Sequence, residues 1–169
     1  VSVVVRARRP EDVPVLCEVL AGQQASSHYP VRWPLPFPVE DFIVRPTELA
    51  SWVAEIDGRV AGHVSAGRLD GELGEQFVVL LGTEHLAEIA VLFVAEDALG
   101  AGVGGRLLDT AVDWIRESGR EPVLDVVPAH DRALAVYRHR GWSTIGEARP
   151  AFLGAEHPPL LLMTLSARP

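Results

Sequence analysis

LAEIAVLFVAEDALGAGVGGRLLDTAVDWIRESG, residues 86–119, reads in order as a buried strand, a glycine-rich loop and a long helix. Residues 86–94 are almost continuously apolar, the pattern of a strand covered on both faces. Glu88 breaks that pattern. A carboxylate inside such a strand is costly unless paired or partly solvated, so Glu88 reads either as a functional group with a raised pKa or as half of a structural ion pair. Residues 95–99 lead to Gly100, Ala101, Gly102, Val103, Gly104 and Gly105. A loop of this kind at a helix N-terminus offers a row of backbone N–H groups to an anion. The helix beyond carries Leu107, Leu108, Ala111, Val112, Trp114 and Ile115 on its buried side, and Gly119 ends it. With residues 122–127 as the next strand, the stretch predicts a right-handed parallel βαβ unit.

Gly100, Gly102 and Gly105 satisfy G-x-G-x-x-G, and Asp125 follows twenty residues later, which outlines a dinucleotide-binding fingerprint. Two features oppose it. Five residues separate the strand from the first glycine, where the fingerprint wants a tight turn. Downstream there remain a short helix and two strands, too few for a doubly wound sheet. No Gly-Lys-Ser/Thr occurs, which excludes a P-loop.

Upstream, residues 51–67 predict a hairpin: two strand-like runs flank Asp57-Gly58, the pair suited to a two-residue turn. His63 lies in its second strand and reads first as structural. Residues 2–8 are a short β-branched run, and Arg9-Pro10-Glu11-Asp12 opens a helix that Gly22 is expected to end. Between residues 23 and 50, five prolines alternate with aromatics, predicting an ordered loop with a helical turn near residues 40–43. Its aromatics either plug the core or line a pocket. Residues 69–76 read as an exposed loop, and residues 77–81 as strand or helix. Beyond the βαβ unit, residues 130–140 predict a helix stopped by Gly141, followed by strands at 142–148 and 160–165.

A chain of 169 residues with 48% apolar and 22% charged residues suits one globular domain, taken as residues 1–169. No apolar run approaches the ~18 residues of a membrane span, and the opening lacks the apolar run of a secretory signal. The net charge of −8 argues against nucleic acid as a partner and is compatible with a cationic substrate. All 15 basic residues are arginine, so phosphate binding would fall to arginine and backbone. The single Cys17 lies on an apolar stripe and reads as core, and neither a disulfide nor a metal framework is expected. A reducing, cytoplasmic setting fits.

Val94-Ala95-Glu96-Asp97-Ala98-Leu99-Gly100-Ala101-Gly102-Val103-Gly104 resembles the Val-x-Pro-x-x-Arg/Gln-Gly-x-Gly-x-Gly/Ala loop of the GNAT superfamily of acyl-CoA-dependent acyltransferases. The run from His130 through Ala133 and Tyr137 to Gly141-Trp142 is similar to that family's Asn-x-x-Ala-x-x-x-Tyr-x-x-x-Gly-Phe. The order of elements matches over nearly the whole chain. Glu96, Leu99 and His130 depart from the family's Pro, Arg/Gln and Asn, which shifts the expected phosphate contacts onto backbone.

The resemblance implies an α/β (α+β) fold: a central, mixed, largely antiparallel sheet with a splayed parallel strand pair, flanked by helices. It implies acetyl-CoA as cosubstrate, without metal. Its pyrophosphate would lie on residues 99–105 (Leu99, Gly100, Ala101, Gly102, Val103, Gly104, Gly105), with Arg106 and His130 nearby, and its pantetheine arm along Leu92, Phe93 and Val94. Glu88 would act as base, with His63 and His85 in reserve, and Tyr137 as acid toward the sulfur. A backbone N–H near Val94 would meet the oxyanion. His28, Tyr29, Trp33 and Phe37 would shape the pocket of a small-molecule or peptide amine, with neither nucleic acid nor membrane as partner, and a homodimer is compatible. The other reading is a non-catalytic acyl-CoA-binding module.

Overall fold

The structure, a computed structural model, describes residues 2–166. Seven strands form one mixed sheet in the order β1-β2-β3-β4-β5-β7-β6, flanked by helices. The contacts of the chain group into two compact units. One gathers the chain up to Gly67 with Ile89–Trp114; the other gathers Arg68–Glu88 with the chain from Ile115 onward.

In the first unit, β1 (Val3–Ala7) runs antiparallel to β2 (Glu48–Ile56), from Val3↔Ile56 to Ala7↔Trp52. The hairpin joins β2 to β3 (Arg59–Gly67) through Asp57 and Gly58, with φ 50° and 82°. Two successive positive φ values are what a turn following the right-handed twist of the strands requires. Arg6 clasps Asp12 through both guanidinium NH groups, at 2.8 and 2.9 Å, and the Arg9 N–H donates to the same carboxylate. This ties β1 to the turn at Pro10–Asp12 that opens α1 (Val13–Ser27).

The expected stop of α1 at Gly22 is overridden. Buried Gln23 donates its amide to the carbonyls of Leu20 and Tyr29 and accepts from Ser27, so the helix continues to a left-handed His28. The short α2 (Val39–Ile43) forms where a helical turn was expected. Leu16, Leu20, Ile43, Val53, Val91 and Phe93 make the core of this unit.

In the second unit, α3 (Gly71–Leu81) replaces the loop expected at residues 69–76 and settles residues 77–81 as helix. Gly71 and Gly74 weaken helix propensity, but packing outweighs them. Phe77 is fully buried against Leu86, Val123 and Leu162, and Gly82 at φ 70° ends the helix. β4 (Leu86–Val94) pairs in parallel with β5 (Glu121–Val126) over Leu86↔Glu121, Ala87↔Pro122 and Glu88↔Val123. β7 (Leu160–Leu165) lies antiparallel between β5 and β6 (Trp142–Ala148). The helix between β4 and β5 is α4 (Val103–Glu117), with Leu107, Leu108, Ala111 and Ile115 fully buried; α5 (Asp131–His139) precedes β6. Among the described residues, no helix is long and apolar enough to cross a membrane.

Candidate active site

The loop after β4 is built by backbone. The Ala95 N–H bonds the Ala61 carbonyl at 2.7 Å, a single 3₁₀ turn spans Glu96–Ala98, and Gly100 and Gly102 follow at φ 87° and 78°. A Cβ on either glycine would meet open space, so it is the left-handed backbone that selects glycine there. The first i→i−4 bond runs from the Arg106 N–H to the Gly102 carbonyl. The N–H groups of Val103, Gly104 and Gly105 therefore lack an acceptor within the helix and stand at its positive end. That donor set fits a pyrophosphate without help from a cationic side chain.

Leu99 is 44% exposed and offers nothing polar. Arg106 donates to the Val3 carbonyl on β1, which commits its guanidinium to the scaffold. An open cleft of ≈ 350 Å³ beside the loop is lined by Val19 and Gly22 of α1 with Ala95, Glu96 and Asp97.

Upstream in the same unit, β4 contains a reversal. Val91 sits at φ 52°, in the left-handed region that a β-branched residue rarely enters. Such a residue costs about 1–2 kcal/mol or more, so the surroundings must hold it there. Two side chains of β3 do so: His63 Nδ1 lies 2.8 Å from the Val91 carbonyl, and Ser65 Oγ donates to the Ala90 carbonyl at 3.0 Å. Successive carbonyls of a regular strand point to opposite sides, but these two turn to one side. In a trans peptide the N–H points opposite its C=O. The N–H groups of Val91 and Leu92 are thereby turned together, away from His63 and Ser65.

The His63 ring is fully buried and stacks on Phe93, with ring centroids 5.5 Å apart. Because a carbonyl only accepts, Nδ1 carries the proton. Nε2, 3.0 Å from Arg8 Nη1, then accepts from the guanidinium, which in turn grips Glu48 through two bonds of 2.7 and 2.9 Å. Burial, opposed in part by the bond to Val91 and reinforced by the charge of Arg8, pulls the His63 pKa down to about 4. With both nitrogens engaged, His63 is a structural donor and leaves the reserve of candidate bases.

The remaining expected site residues fall in both units. Leu92, Phe93 and Val94 continue β4 past the reversal in the first unit. Tyr29 and Trp33 pack against its core, Tyr29 edge-to-face on Phe42 at 5.7 Å, whereas Phe37 and His28 are exposed. Half-buried Glu88, exposed His85, His130 at the start of α5 and buried Tyr137 belong to the second unit. There the Tyr137 ring packs 6.1 Å from that of Trp142. Cys17 is half-buried, and burial raises its thiol pKa. Among the described residues, no cluster of three or more His, Cys, Asp or Glu could hold a metal.

Sequence reasoning missed the Arg8–Glu48–His63–Ser65–Val91 constellation. The available signal was two polar residues, His63 and Ser65, spaced by two in a strand otherwise wholly apolar or small after Arg59.

Comparison with known proteins agrees with this architecture. The family model "Acetyltransferase (GNAT) family" matches residues 19–142. A curated relative, the "Probable N-acetyltransferase camello" of Xenopus laevis, is 33% identical over 103 residues; the match covers 60% of this chain and 42% of that protein's length. An N-acetyltransferase from Staphylococcus aureus superposes with a TM-score of 0.72 at 15% identity, covering 97% of each chain. PaiA N-acetyltransferase from Thermoplasma acidophilum, solved with coenzyme A, gives 0.69 at 16% identity over 99% of this chain and 100% of that one. Arabidopsis thaliana NAA60, solved with acetyl-CoA, gives 0.69 at 19% identity over 96% and 98%. Its loop, its strand order and the family match over residues 19–142 together establish that this chain belongs to the acetyltransferase (GNAT) family.

Proposed function

We propose that this protein is an N-acetyltransferase that uses acetyl-CoA to acetylate a primary amine by direct attack in a ternary complex, with residues 1–169 acting as one catalytic domain. The observation that carries the reading is the run of backbone donors along β4 and its loop. The paired N–H groups of Val91 and Leu92 come first, and those of Val103, Gly104 and Gly105 follow at the start of α4.

Acetyl-CoA would supply an acyl group activated as a thioester. Val103, Gly104 and Gly105, with Gly100 and Ala101, would hold its pyrophosphate, and the backbone of Leu92, Phe93 and Val94 would hold the pantetheine arm as a strand holds its neighbour. The N–H groups of Val91 and Leu92 would receive the negative charge developing on the acyl oxygen. Glu88 would take a proton from the ammonium so that a neutral amine attacks, and Tyr137 would give one to the departing sulfur. The role of Tyr137 rests on the sequence motif, and that of Glu88 on its place as the carboxylate in the apolar strand and on the family resemblance. The acceptor is a small-molecule or peptide amine, with Phe37 and His28 on the exposed side of the segment that would meet it.

CoA release measured with a panel of amines tests this, with Tyr137→Phe expected to lower kcat at least ~10-fold in a folded protein. Stabilisation by acetyl-CoA without release for any amine would instead favour a binding module, a reading supported by Leu99 and His130 standing where the family carries Arg/Gln and Asn.

A further inference from the structure

We infer that His63 is a positioning residue for acyl transfer, its Nδ1–H holding the Val91 carbonyl so that the Val91 and Leu92 N–H groups stay turned together, with Ser65 doing the same for Ala90. The inference deepens the acetyltransferase reading and rests on it. A β-branched residue at φ 52° relaxes toward extended backbone unless its carbonyl is held, and relaxation would swing the Leu92 N–H to the opposite side of the strand.

The His63 ring itself cannot turn away. Phe93 covers its face, Arg8 occupies Nε2, and the two bonds from Arg8 to Glu48 fix the guanidinium in turn. The chain from Glu48 through Arg8 to His63 thus sets the direction of one N–H bond, with the Ile43 carbonyl also bonded to Arg8 and the Ser51 hydroxyl to Glu48. Arg8 is the right donor for this position: its planar fork spans a carboxylate and a ring nitrogen at once, which a lysine ammonium would do without fixed direction.

The test uses the full chain and two variants. His63→Leu removes the donor at similar volume, and His63→Asn keeps an N–H near the place of Nδ1. The three-bond HN–Hα coupling of Val91, measured by NMR, reports its φ and is independent of catalysis. In His63→Leu the coupling should move to that of extended backbone, and kcat should fall about 10- to 100-fold, in the range for loss of a preorganised donor. The KM for acetyl-CoA should rise by a smaller factor than kcat falls, since the loop and the arm contacts of Phe93 and Val94 are untouched. His63→Asn should restore both coupling and kcat. An unchanged coupling or an unchanged kcat in His63→Leu overturns the inference, as does an Asn variant impaired as much as the Leu variant. If the unmodified protein acetylates no amine, the functional reading fails while the coupling still decides the clamp. Should His63→Leu not fold, Ser65→Ala takes its place: a several-fold lower kcat at unchanged KM supports the clamp, and an unchanged kcat overturns it.

Discussion

Acidification from pH 7 to pH 4 should cost this protein stability through one buried ring. His63 has a pKa of about 4 in the folded chain against 6.5 when solvated, because burial penalises the imidazolium and Arg8 stands against Nε2. The folded value lies below the unfolded one, so between pH 6.5 and 4 the unfolded chain binds a proton that the folded chain refuses. Stability therefore falls as pH falls through that window, by about 1.4 kcal/mol per pH unit. The whole drop of about two and a half pH units is worth about 3 kcal/mol, a large share of the 5–15 kcal/mol of a typical domain. The ring is fully buried, so solvent screening takes little from this figure. Urea unfolding of the unmodified protein and of His63→Asn at intervals from pH 7 to pH 4 isolates it. Carboxylates that titrate near pH 4 act alike in both proteins and cancel in the difference. The unmodified protein should lose about 3 kcal/mol more than the variant over this range. Parallel curves would refute the arrangement in which Nδ1 alone carries a proton.

Two further outcomes follow from the packing and backbone of the loop. A Cβ at Gly62 would stand 2.9 Å from Leu107 Cδ1 and 3.1 Å from both the Phe93 carbonyl oxygen and Val103 Cγ1, so Gly62→Val should overpack the contact of β3 with α4. It should lower unfolding free energy by about 1–3 kcal/mol in a urea titration. Gly102→Ala meets no steric obstacle but must hold φ 78°; it should cost about 1–2 kcal/mol and weaken CoA binding by calorimetry, whereas unaltered binding would separate the loop from the pyrophosphate.

Much of the architecture was legible because it rests on local chemistry. Asp57-Gly58 dictated a hairpin turn, the apolar run at 86–94 a covered strand, and the spacing of Leu107, Leu108, Ala111 and Ile115 one buried helix face. Strands 142–148 and 160–165 and the family motifs came from the same kind of reading. Where reading failed, a side-chain contact had overruled a backbone preference. Gly71 and Gly74 argue for a loop, yet Phe77 reaches a core supplied by Leu86, Val123 and Leu162, residues distant in sequence. Gly22 argues for a helix end, yet Gln23 bridges to Tyr29 and carries α1 to Ser27.

The candidate site divides along the same line. Glycines at 100 and 102 announce a left-handed loop because only glycine adopts that backbone cheaply, so a phosphate cradle could be expected from composition alone. Val91 announces nothing; a β-branched residue in an apolar run reads as ordinary strand. Its reversed peptide exists because His63 and Ser65, two strand positions apart and more than twenty residues earlier in the chain, supply the bonds that hold two carbonyls on one side. Sequence determined which groups could donate. Only the tertiary structure, by placing β3 beside β4 and Arg8 and Glu48 behind His63, decided which way those donors point.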